Sequence, residues 1–92
     1  MKLIKESKGR VIETRVYDSG EYIVKDRKVE GEKGPFISCT PKNPLMPTAM
    51  IEEAGSFITF PGGMHSFQDI PDYISALQEL QEIEKELTKP SE

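Results

Sequence analysis

Near Asp69 the chain changes texture, and the change narrows what it can fold into. From Asp69 onward there is no glycine, and apolar residues fall at Ile70, Tyr73, Ile74, Leu77, Leu80, Ile83 and Leu87. Spacings of three and four put these side chains on one side of a helix. Asp69 suits an N-cap, Pro71 is tolerated in a first turn, and Asp72 adds negative charge where the helix dipole favours it. A capping box of Ser66 and Asp69 would carry Pro71 deeper into the helix. The spacing therefore predicts a helix over 69–88, with Pro90 as its stop. At 100° per residue the apolar positions cover roughly half the circumference, wide for a helix resting on one sheet.

Ahead of the helix the chain is β-branched and aromatic, and glycine or proline breaks it repeatedly. Residues 11–17 and 22–29 read as two strands around an Asp-Ser-Gly-Glu turn, a hairpin. A two-residue Ser19-Gly20 loop would set Tyr17 opposite Tyr22 and Val16 opposite Ile23. It would also set Glu13 opposite Asp26, a like-charge pair that a bulged loop would relieve. Residues 36–40 form a short strand containing Cys39. Pro41, Pro44 and Pro47 then recur every third residue, so residues 41–47 read as an extended crossover outside any central ladder. Residues 49–53 fit a strand or a helical turn. Residues 57–60 read as a strand closed by Pro61-Gly62-Gly63.

The fold expected is α+β in one domain, residues 1–92. A β-rich part over 1–63 forms an antiparallel sheet of about four or five short strands, and the C-terminal helix packs on it. The order of strands and one terminal helix resembles several small sheet-plus-helix modules, some single-stranded DNA-binding coactivators among them. No motif is shared, and function does not follow from architecture.

Charge divides along the same line. Residues 1–51 hold ten Lys/Arg against seven Asp/Glu, and residues 52–92 hold two against nine. The net charge of −4 argues against a general coat for nucleic acid. One cysteine excludes an intramolecular disulfide and suits a reducing compartment. With neither an apolar leader nor a membrane-length apolar run, the expected location is cytoplasmic. Only 36% of residues are hydrophobic, a lean core that favours completion by a second copy, a dimer as first guess.

Several residue groups invite a functional reading. Cys39 and His65 would make a nucleophilic pair only in a shared pocket with an orienting group, and a structural role for each is the better expectation. One Cys and one His give no metal-ligand spacing, so neither metal nor cofactor is expected. The loop with Gly62, Gly63, His65 and Ser66 leads towards a helix and offers amides to an anion or nucleotide-like ligand. It matches neither glycine-rich phosphate motif. Arg15, Tyr17, Tyr22, Lys25, Arg27 and Lys28 cluster along the hairpin as aromatic and basic residues do on a single-stranded nucleic-acid platform. Asp72, Glu79, Glu82 and Glu86 form an acidic ridge on the helix, offset only by Lys85 and Lys89. Such a ridge keeps a protein solvated or docks a basic partner. Read as heptads, the apolar stripe is interrupted by Glu84, which disfavours a long coiled coil.

The sequence thus leads to a small non-catalytic interaction protein, regulatory or inhibitory, that binds a protein partner through the ridge as a homo-oligomer. A second reading is a single-stranded nucleic-acid-binding module using the hairpin. A third is a ligand-sequestering protein using the glycine loop.

Overall fold

The computed structural model describes residues 1–88 as a six-stranded antiparallel meander with one helix packed on it. The strands are β1 (Lys2–Lys8), β2 (Ile12–Asp18), β3 (Tyr22–Val29), β4 (Phe36–Pro41), β5 (Thr48–Glu52) and β6 (Gly55–Thr59). A 3₁₀ turn, Phe67–Asp69, leads into the helix α1, Ile70–Thr88. The expected stop at Pro90 lies outside the described residues.

Six strands exceed the four or five expected, and the surplus is β1. Four of its seven residues are charged and all seven are exposed, so it has no apolar alternation by which a strand is read. Spatial order equals chain order throughout, so residues 41–47 are not a crossover: Pro41 ends β4 opposite Tyr22, inside the ladder, and residues 42–47 join neighbouring strands. The connection is a turn. The Asn43 carbonyl accepts from the Met46 amide at 3.0 Å, and its Oδ1 accepts from the Leu45 amide at 3.0 Å. Pro44 supplies the preset φ of the second turn position.

The hairpin register follows its charges. The two-residue loop is Gly20-Glu21: the Ser19 amide donates to the Tyr22 carbonyl at 3.0 Å, and Gly20 takes a φ of 100°, which favours glycine. Tyr17 then faces Val24, Arg15 faces Asp26 and Glu13 faces Lys28. The like-charge pair of the simple Ser19-Gly20 loop is replaced by two opposite-charge pairs, without a bulge.

One face of the sheet holds the core. Tyr22, Val24, Ile37, Cys39, Ala49 and Ile51 meet Ala76, Leu80 and Ile83 of α1, with Met46 tucked in from the loop. The wide helical stripe resolves into two seams. Tyr73, Ala76, Leu80, Ile83 and Leu87 lie on the sheet, whereas Ile70 and Ile74 stay 46% and 51% exposed. The helical path also starts a turn earlier than Asp69. The Ser66 hydroxyl accepts from the Gln68 amide at 3.1 Å and caps the 3₁₀ turn, leaving Pro71 as the second residue of α1.

Two tyrosines fasten the proline loop. The Tyr22 hydroxyl donates to the Pro47 carbonyl at 2.7 Å in a fully buried site, and the Tyr73 hydroxyl donates to the Leu45 carbonyl at 3.0 Å. Burial pushes the Tyr22 phenol up to about 12, with Glu79 adding to the shift. Tyr22→Phe strands the Pro47 carbonyl and is expected to cost about 1–3 kcal/mol. Leu80→Ala opens a cavity between helix and sheet and is expected to cost about 2–5 kcal/mol. Urea titrations with an unchanged slope check both.

Candidate nucleic-acid interface

Successive side chains of a strand point to opposite faces, so the register divides the sheet into two chemically different surfaces. The core and α1 occupy one. None of the described residues forms a layer over the other, and two rows of cross-strand neighbours run across its middle. The first is Lys5, Val16, Lys25, Ser38, Met50 and Phe57. The second is Ser7, Thr14, Arg27, Phe36, Glu52 and Gly55.

The cations gather towards β1–β3, where Lys2, Lys5, Lys25 and Arg27 lie on the open face. A shallow depression of about 440 Å³ is lined by Lys5, Lys25 and Arg27, the hydroxyls of Ser7, Thr14 and Ser38, and Val16. No carboxylate lines it. Asp18, on the same face, is engaged: Lys42 Nζ contacts its two oxygens at 2.9 and 3.0 Å, and the Gly20 amide donates to it at 2.8 Å. The Lys42 ammonium, then that amide, hold the Asp18 carboxyl below its ordinary range. Towards β5–β6 the face turns apolar, with Phe57 55% exposed and Met50 half exposed beside it. Phe36 lies between Arg27 and Glu52.

The hairpin cluster read from the sequence is split by this geometry. Lys25 and Arg27 belong to the open face. Arg15, Tyr17, Tyr22 and Lys28 belong to the helix side, because they pair across strands with, or alternate with, the core residue Val24. Tyr22 has no exposed surface. Arg15 lies 3.3 Å from Glu6 and 3.4 Å from Glu13, and a hydrogen bond with Tyr17, then those carboxylates, raise its pKa further. Period-two alternation separates these residues without a structure. Lys5, Ser38, Met50 and Phe57 join the face only through pairing between strands distant in sequence, which no local pattern announces.

The acidic ridge is also uneven. Asp72, Glu82 and Glu86 are exposed, and Glu82 lies 3.6 Å from Lys85. Glu86 is 3.9 Å from the N-terminal ammonium. Glu79 instead turns inward against the β2–β3 turn, where its Oε2 is buried without a partner. Burial, then the nearby Glu21 carboxylate, raise its pKa, while the nearness of the Glu21 backbone and the Ser19 side chain opposes the shift.

In the glycine loop the polar groups serve the fold. His65 Nε2 lies 3.0 Å from the Pro61 carbonyl oxygen, its Nδ1 meets the Tyr73 hydroxyl, and Ser66 caps the 3₁₀ turn. Gly62 and Gly63 are exposed, with Gly63 at a φ of 101°. Cys39 is buried beneath α1, where desolvation pushes its thiol up to about 11, while His65 is exposed on its loop. Among the described residues no three His, Cys, Asp or Glu side chains are arranged to hold a metal, and no helix is long and apolar enough to cross a membrane.

A carboxyl whose pKa is raised by folding binds more protons in the native state, so it lowers stability as pH rises through its folded pKa. Glu79→Gln is therefore expected to raise the melting temperature at neutral pH. The gap to the wild type should close as pH falls and Glu79 itself becomes protonated. Thermal melts across the acid range check both the sign and the closure.

No family model, curated protein or solved structure matches the chain.

Proposed function

We propose that the chain binds single-stranded nucleic acid across the open face of its sheet. The observation that carries this reading is the depression lined by three cations and three hydroxyls with no carboxylate, continuous by register with exposed Met50 and Phe57. Phosphates need cationic and hydrogen-bonding donors, which Lys5, Lys25, Arg27 and the hydroxyls supply. Bases need a flat apolar surface, which Phe57, Met50 and Phe36 supply. Stacking requires bases free of a duplex, so the ligand is single-stranded. Five strand spacings give the platform a width of about 24 Å.

The helix side supports the same orientation. Five carboxylates against Lys85 make α1 a repulsive surface for phosphate, so an incoming strand is steered to the opposite side. The inward turn of Glu79 leaves the ridge a poorer docking surface than the sheet. The hairpin is thus retained from the sequence reading, with Lys25 and Arg27 as its contacts and the tyrosines reassigned to packing.

Fluorescence anisotropy of a labelled oligothymidylate at several salt concentrations tests the reading. With three or four phosphates neutralised, log K should fall against log salt with a slope of about −2 to −3. Replacing Lys25 and Arg27 together by Ala should make the slope shallower by about 1.4. Phe57→Ala should weaken binding by about 1–3 kcal/mol while leaving the salt slope alone. Arg15→Ala should change neither. No binding at low salt, or a slope indifferent to Lys25 and Arg27, would sink the proposal.

A further inference from the structure

A meander leaves two free edges, and here they differ in kind. The β1 edge carries Lys2, Lys5 and Lys8, and its register shifts between Leu3 and Lys5. Charged side chains and an irregular ladder are how natural sheets keep an edge from pairing. The β6 edge has none of these devices. Gly55, Ser56, Phe57, Ile58 and Thr59 include no charge and no proline, and they pair with β5 without a break in register. A row of backbone donors and acceptors is left open along an uncharged strand.

The surroundings of that edge are apolar on both sides of the sheet. Phe57 lies on the open face. On the helix side a groove of about 490 Å³ separates α1 from β5 and β6; Ile58, Ile74 and Leu77 line it, with Gln78, Gln81 and Glu84 of α1 beside them. Ile58 is 48% exposed and Phe60 49% exposed, and Ile74 of the outer helical seam lines the same groove, with Ile70 one turn before it on the helix. The surplus half of the helical stripe therefore lies along the unprotected edge.

We infer that β6 pairs antiparallel with β6 of a second copy, making one continuous twelve-stranded sheet with a two-fold axis through Phe57. Self-complementarity selects the occupant. A five-residue strand centred on Phe57 meets itself with every residue paired, and with no charge in the strand no like charges oppose each other. Pairing about such an axis keeps both helices on one side, so the outer seams join a second layer of contact. Five residues near half exposure contribute on the order of 100 Å² each, about 1,000 Å² for the two copies before strand backbone is counted. That is about the 1,000 Å² that a biological interface should clear. The pairing also joins the two open faces, with Phe57 against its mate at the centre and the cations at the flanks. The inference rests on the edge and the groove, and it stands whether or not the face binds nucleic acid.

Sedimentation equilibrium of the full chain tests it, with Ile58→Lys and Ile74→Glu combined as the disrupting variant. Both side chains are half exposed and lie on the helix side, away from the open face. The wild type is expected at twice the 10.4 kDa chain mass. The variant is expected at the single-chain mass with an unchanged circular dichroism spectrum. Amides of β6 that point away from β5 should exchange slowly in the wild type and fast in the variant. Leu3→Lys, beside the protected edge, should leave the dimer mass intact. A monomeric wild type at every concentration overturns the inference, and so does a folded variant that keeps the dimer mass. If the dimer assembles and oligothymidylate does not bind, the interface stands and the nucleic-acid reading falls. Binding by a monomeric wild type gives the reverse.

Discussion

A single helix covers one face of a sheet, and the organisation of this chain follows from that limit. The 19 residues of α1 span about 28 Å at a diameter of about 10–12 Å. The six strands span about 24 Å. The helix therefore shields the strip carrying Tyr22, Val24, Ile37, Cys39, Ala49 and Ile51, and the described residues supply no second layer for the reverse side. What is not covered by α1 must tolerate water or meet a ligand. The open face does so with lysines, an arginine and hydroxyls at one end and with phenylalanine and methionine at the other. The β6 flank carries no cation and exposes Phe57 and Ile58.

The proline loop shows how this thin architecture holds its core. Residues 42–47 return the chain between neighbouring strands and also fold Met46 and Pro47 into the space between sheet and helix. Their carbonyls have no ladder to join. Tyr22 from the sheet and Tyr73 from the helix supply the missing donors, at Pro47 and Leu45. Tyr22 is thereby consumed by structure. Its ring lies on the helix side of the sheet, so the aromatic part of the open face falls to Phe57 and Phe36 instead.

The architecture was largely legible in the sequence, and the surface was not. The hairpin and the terminal helix follow from β-branching, glycine placement and three-four spacing, all of them local signals. β1 escaped because an edge strand guarded by lysines has no apolar alternation to display. The register escaped because a turn admits several loops, and only the pairing of Arg15 with Asp26 and Glu13 with Lys28 chooses among them. For the site, alternation within β3 already assigns Lys25 and Arg27 to one side and Tyr22 and Lys28 to the other. The rest of the face needs Lys5, Ser38 and Phe57 brought together from three other strands, and that information resides in the ladder as a whole. Glu79 escaped for a similar reason: helical spacing places it on an acidic ridge, but the hairpin turn stands against that part of the helix.

Net charge is a poor guide to a protein built this way. The carboxylates of α1 and the cations of the open face lie on opposite sides of the sheet, with the core between them. At physiological ionic strength the Debye length is about 8 Å, so a phosphate held at the open face experiences the nearby cations far more than the distant acids. At about 0.01 M salt the length grows to about 30 Å, and the helix then acts on the same phosphate across the whole domain. The chain is acidic as a sum and basic on part of its open face. At physiological salt the sheet keeps the two sets of charges apart by more than the distance over which they act on one another.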